Sequence, residues 1–178
     1  MKKTILLFCV AFLFVGCDNL IKKNKVLGDD YELTPEQEQE INLRVKLAEQ
    51  GYLDMGLPSG TIWKAQIENK PYTYDEAVKQ FGDQLPTKEQ WEELRLNCAL
   101  IWIGDSYRLD ADNASTLFLP ALGYIDCDGI VNDKEGLACF WTSTPDGVGQ
   151  AYCYSIDIEA GVNSFYRCNK LPVLLVKK

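Results

Sequence analysis

Near residue 99 the hydrophobic period of this chain changes, and that change constrains the fold more than any other feature of the sequence. Before it, three segments open with the same chemistry: Thr34-Pro35-Glu36-Gln37, Thr73-Tyr74-Asp75-Glu76 and Thr87-Lys88-Glu89-Gln90. In each, the threonine hydroxyl can accept from the amide three residues on, while the Glu or Gln side chain returns to the threonine amide. That reciprocal pair is the capping box of a helix N-terminus. Pro35 stands at the first helical position, where a missing N–H costs nothing. A leading helix is expected over residues 34–50, with Ile41, Val45 and Ala48 on one face and Gly51 as its stop. The second helix is expected from Tyr74 to Phe81, ended by Gly82, and the third carries Trp91, Leu94 and Cys98 inward.

Beyond residue 99 the pattern alternates. Tyr152, Tyr154, Ile156 and Ile158 interleave with Ala151, Cys153, Ser155 and Asp157, as in a half-buried strand. Ala160-Gly161 reads as a two-residue turn into a strand over residues 162–168. That register sets Ile156 opposite Phe165 and Cys153 opposite Cys168. Shorter strands are expected at residues 52–55, 61–66, 117–119, 138–142 and 173–176. Helices early and many short strands late predict an α+β fold.

The front of the chain speaks to compartment. Lys2 and Lys3 precede an uncharged apolar run over residues 4–15, too short for the ~20 residues of a membrane span but suited to a signal-peptide core. It ends in Phe14-Val15-Gly16-Cys17, which reads as a bacterial lipobox with Cys17 as the lipidated residue; the alternative is a plain secretory peptide with an incidental cysteine. Two or three acyl chains on Cys17 give stable anchoring where one gives only marginal binding. Residues 1–16 would then be signal peptide and the polar stretch 17–33 a tether. Cleavage takes away two lysines and no acid, so the net charge moves from −8 to −10 over the remaining 162 residues. An acidic surface without a basic aromatic stripe speaks against nucleic-acid binding. The remaining length suits one compact domain.

Four blocks punctuate the rest in fixed order: LPSGTIW (57–63), LPTKEQWEEL (85–94), FLPALGY (118–124) and FWTSTP (140–145). Together they resemble the paralogous-domain family named from Fibrobacter succinogenes and abundant in Bacteroides-type bacteria, over residues 51–178. The resemblance implies a C-type lectin-like fold, a curled antiparallel sheet with two flanking helices, to which this chain adds its N-terminal helix. It implies a cell-envelope location, lipid-anchored in the outer membrane and exposed at the surface. It also implies a non-enzymatic module binding a glycan or a surface protein. Relatives often carry a cysteine near Gln66, and its lack here would leave Cys98 unpaired. At the C-terminus Arg167 matches, but Pro172-Val173-Leu174-Leu175-Val176 replaces an arginine and a proline with leucines, which puts in doubt whatever that arginine builds in relatives.

Besides Cys9 and Cys17 the chain has five cysteines, so an odd thiol remains. The hairpin register makes Cys153–Cys168 the first candidate bridge, and Cys127–Cys139 a second. Histidine is absent, which rules out Ser-His-Asp and Cys-His nucleophile systems and histidine metal sites. With no CxxC, Walker A or dinucleotide glycine fingerprint, no cofactor or metal is assigned and no catalytic residue is named. A carboxylate pair for glycoside hydrolysis cannot be read from spacing, and Glu92-Glu93 reads as a solvated helix face.

Four residues stand as ligand-binding candidates. Asp126, Asp128 and Asp133 cluster oxygens of the kind calcium accepts, but the loop lacks EF-hand spacing and the favoured reading is a polar turn around Asp128-Gly129. The Glu-Pro-Asn, Gln-Pro-Asp and Trp-Asn-Asp signatures of sugar-binding C-type lectins are missing. Trp63, Trp91 and Trp141 lie inside the blocks and read as core, whereas Trp102 precedes a polar stretch and is open to stacking on a sugar. Residues 104–115 and 145–150 are expected to be the recognition loops. Two other readings remain: a structural subunit of a surface assembly, or an enzyme of the formylglycine-generating or carboxylate-hydrolase type.

Overall fold

The computed structural model describes residues 33–177 apart from 133–135 and 158. The lipidation reading at Cys17, the signal peptide, the tether up to residue 32 and Asp133 lie outside the described residues. Among the described residues the chain is mixed α+β, with three α-helices and several antiparallel sheets. Helix α1 (Pro35–Glu49) leads into β1 (Tyr52–Asp54) and β2 (Ile62–Lys64), then α2 (Tyr74–Phe81) and α3 (Lys88–Asn97). Strands β3 (Cys98–Trp102), β4 (Ser106–Ala111) and β5 (Thr116–Pro120) form one sheet, and β6 (Tyr124–Ile125) pairs with β7 (Val131–Asn132). The chain closes with β8 (Ala138–Asp146), β9 (Gln150–Ile156), β10 (Ala160–Tyr166) and β11 (Val176–Lys177), which returns to β2. No described helix is long and apolar enough to cross a membrane.

All three helices start with complete capping boxes on Thr34, Thr73 and Thr87. Gly82 ends α2 at a φ of 53°, a left-handed backbone that glycine adopts without the Cβ penalty. The sheet β10-β9-β8 lies at the centre and is apolar on both faces. Ala138, Phe140, Tyr154 and Ile156 face one core together with Trp63, Trp91 and Leu109, while Cys139, Trp141, Ala151 and Cys153 face a second with Tyr72, Tyr74 and Leu171. In the first core Trp91 stacks on Tyr154 at 4.6 Å and on Phe140 at 5.5 Å, and tilts against Trp63 at 4.7 Å. Each such pair adds about 0.5–1.5 kcal/mol beyond burial. In the second core Trp141 donates from Nε1 to the Tyr72 carbonyl at 2.8 Å.

The four sequence blocks meet in space. Glu93 takes the Ser59 amide and hydroxyl, and Gln90 donates to Thr61, which ties the first block to the second. Glu93 is thus a clamp rather than a solvated acid. The Ser143 amide donates to the Pro86 carbonyl at 2.8 Å, which ties the fourth block to the second. Arg167 pairs with Asp75, lies 4.8 Å from the Tyr74 ring and donates to the Val148 carbonyl. It fastens the start of α2 to the β8–β9 turn.

Several expectations are corrected. Ala160-Gly161 is strand, not turn: Ala160 pairs with Ile156 and Cys153 pairs with Asn163, so the reversal falls at residues 157–159. Asp157 and Glu159 belong to that three-residue loop, while Gly161 lies within strand β10 and supplies no turn. The Cys153–Cys168 bridge is therefore wrong. Cys153 is buried in the second core, whereas Cys168 lies past the end of β10 and bonds to Cys127, their Cα atoms 5.1 Å apart. The Cys127–Cys139 alternative fails with it, since Cys139 packs inside and its thiol donates to the Gly123 carbonyl. Cys98 does stay out of disulfides, but so does Cys153. Cys98 opens β3 rather than closing α3, and residues 104–115 hold strand β4, whose Tyr107, Leu109 and Ala111 point inward. On α1 the buried residue is Leu47, and Ala48 is exposed. This rotation lets Arg44 reach the Asn113 carbonyl at 3.3 Å and Asp54 at 3.8 Å.

Candidate binding cleft

Three segments meet on one side of the molecule: the irregular residues 67–72 and 170–172, and residues 122–125, which run into β6. Two pairs of backbone hydrogen bonds join them. The Tyr72 and Leu171 amides exchange bonds of 2.9 Å with each other's carbonyls, and Ile125 and Lys170 exchange bonds of 3.0 and 2.7 Å. The Glu68 amide reaches the Val173 carbonyl and the Gly123 amide that of Leu137, both at 2.8 Å. The Cys127–Cys168 bridge closes the far end, just beyond the Ile125–Lys170 pair. Burying irregular chain demands such pairing, because an unpartnered backbone group costs about 1–3 kcal/mol.

Between these segments lies an open cleft of about 370 Å³. Its walls are mostly carbon: Ile67, Pro71, Leu122, Ile125, Val131 and Pro172. Tyr124 also lines it, set edge-on against Phe165 at 4.9 Å. Lys70 and Lys170 stand exposed at the rim. Lys70 holds its ammonium 4.8 Å from the Tyr72 ring centroid. Among the described residues the one acid of the lining is Glu68, paired with Lys64 at 2.6 Å. Nearby Glu76 caps α2; the Thr73 amide and hydroxyl hold its carboxyl below the usual range, and Lys170 and Lys70 both push the same way. Both lysines also belong to the cleft lining.

The sequence candidates fall elsewhere. Asp126 and Asp128 share the β6–β7 turn next to the cleft. One Asp126 carboxylate oxygen accepts from the Asp128 and Ile130 amides at 3.0 and 2.9 Å, and the other from Asn132 at 3.0 Å. The Ile130 amide first, then Asn132, hold its carboxyl below the ordinary aspartate value. Gly129, at a φ of 86°, completes the turn. Asp126 thus organises its own loop, as the polar-turn reading holds. Among the described residues no group of three or more acids or cysteines is placed to hold a metal. Trp102 is on a different sheet, 45% exposed, with its ring 4.7 Å from that of Tyr107.

That sheet carries a second exposed surface. Leu100, Ile101, Trp102 and Ile103 are all open to solvent, and Ile101, Arg108 and Phe118 form one cross-strand row on its outer face. Among the described residues β3 pairs only with β4, so its other edge is open. Two of the described thiols, half-buried Cys98 and buried Cys153, are held toward the protonated form. Burial first, then Asp112 and Asp110, push Cys98 up to about 11, and burial pushes Cys153 up to about 12.

Comparison of the chain with protein-family models, with curated proteins and with solved structures finds no significant match.

Proposed function

We propose that this chain is a non-enzymatic, lipid-anchored module of the bacterial cell envelope that binds a glycan or another protein at the surface. Its finer architecture on this reading is the C-type lectin-like one that the four blocks suggest. The observation that carries the reading is the cleft: its shape is fixed by backbone pairs and a disulfide, and its walls offer contact rather than chemistry. Among the described residues Glu68 is the one carboxylate in the lining and it already has a lysine partner, so no free acid–base pair among them faces the space. Metabolic labelling with an acyl-chain analogue tests the anchor, with loss of label expected for Cys17→Ala. A glycan array and a pull-down from envelope material test the binding role. Empty results in both, together with measurable turnover of a polymer, would overturn it.

The structural-subunit reading draws on one specific observation, the open β3 edge with its exposed Leu100 to Ile103 run, since unpaired edges of this kind seek another strand. Cross-linking on intact cells separates it from the first reading. The formylglycine-generating alternative needs a reactive thiol pair, and the raised Cys98 and Cys153 values oppose it, because the thiolate is the reactive form. Native protein at pH 8 should leave both thiols unlabelled by a disulfide-exchange reagent and should release them only in denaturant. Rapid labelling of either one in the folded state would revive the enzymatic reading.

A further inference from the structure

We propose that the cleft takes a small amphipathic anion, a carboxylate on a compact apolar body, with the carboxylate between Lys70 and Lys170 and the body against Leu122, Ile125 and Val131. This rests on the binding-module reading and names the ligand chemistry of its site.

Size comes first. A cleft of about 370 Å³ lies within the range of small-molecule sites. Backbone availability comes second. The amides of Glu68, Tyr72, Gly123, Ile125, Lys170 and Leu171 are all bonded within the walls, and Pro71 and Pro172 have none. A ligand that asks only for apolar contact and one charge partner fits these walls.

Charge decides the rest. The chain carries a net charge of −8, yet Lys64, Lys70 and Lys170 gather around this cleft against Glu68 and Glu76. Glu68 is taken by Lys64, and Glu76 is turned to the Thr73 cap. Among the described residues Lys70 and Lys170 form no ion pair, Lys70 resting only against the Tyr72 ring, so both can face an incoming anion. Asp126, in the β6–β7 turn, directs both its oxygens into that turn. The bridged walls hold this arrangement before the ligand arrives, which lowers the ordering cost of binding.

The test is calorimetric titration of the full chain with three probes. 2-Naphthoate supplies an aromatic body and a carboxylate, 2-naphthylmethanol keeps the body without the charge, and glucuronate keeps the carboxylate on a hydroxylated ring. Naphthoate is expected to bind about tenfold or more tighter than the alcohol, and glucuronate to give no measurable heat. The double variant Lys70→Ala/Lys170→Ala should lose that tenfold preference, and Val131→Asp should weaken naphthoate in a protein whose melting temperature is unchanged. No binding of naphthoate, equal binding of the alcohol, stronger binding of glucuronate, or an unchanged double variant would each overturn the inference. The same proteins on the glycan array and pull-down keep the two proposals apart. Capture that survives in both variants sinks this inference alone, and naphthoate binding with no capture sinks the module reading alone.

Discussion

The central β8–β9–β10 sheet and the cleft are held together by opposite means. The sheet is a local meander whose two faces disappear into apolar cores, so its stability comes from area removed from water and is spread over many contacts. The cleft joins stretches about a hundred residues apart, such as Tyr72 with Leu171, through a few directional backbone bonds and one disulfide. Spread, non-directional contact gives a tolerant scaffold. A few directional ties give a fixed surface that does not need a core beneath every wall, which is what a recognition site requires.

The largest expected effect attacks the first region. Trp91→Ala removes the ring that touches Trp63, Phe140 and Tyr154, and should cost about 4 kcal/mol in denaturant unfolding. A loss below about 2 kcal/mol would mean that the aromatic stack is not the hub of the scaffold. Next comes the second region. Cys127→Ser with Cys168→Ser frees a loop of 41 residues, and loop-closure entropy sets the loss at about 3–4 kcal/mol. The contrast predicts more than a global loss: amide exchange should quicken at residues 123–131 and 168–172 while the β8 and β9 amides remain the slowest. Uniform quickening across both regions would erase the distinction.

Smaller effects refine it. Thr73→Ala removes the cap of α2, which lies between the second core and the cleft, and should cost about 1 kcal/mol. Tyr154→Phe should change stability by less than about 0.5 kcal/mol or raise it, because the buried hydroxyl has no hydrogen-bond partner among the described residues. A large loss on removing that hydroxyl would show that the scaffold, too, relies on directional contacts.

What the sequence revealed follows the same division. Capping boxes, the bounds of α2 and the burial of Trp63, Trp91 and Trp141 were legible because each rests on local spacing or side-chain type. Strand β4 was masked by its polar partners. Arg108, Asp110, Asp112 and Asn113 made residues 104–115 look like loop, although Tyr107, Leu109 and Ala111 alternate within them. The β9–β10 register was lost by trusting Ala160-Gly161 as a turn, and the wrong disulfide followed from that single error. The cleft was illegible for a deeper reason. Residues 67–71 and 170–172 have no period of their own, and what unites them is tertiary contact. Only Pro71, Pro172 and the odd cysteine count hinted at constrained irregular chain there.

The measurement that bears most directly on the account is ligand capture by the intact chain beside a cleft variant, Lys70→Ala/Lys170→Ala with Val131→Asp, on the same glycan array and envelope extract. The account predicts that the native chain retains a specific ligand, that the variant folds with the same melting temperature, and that it loses the ligand. Equal capture by the two proteins would contradict it, since recognition would then lie outside the cleft.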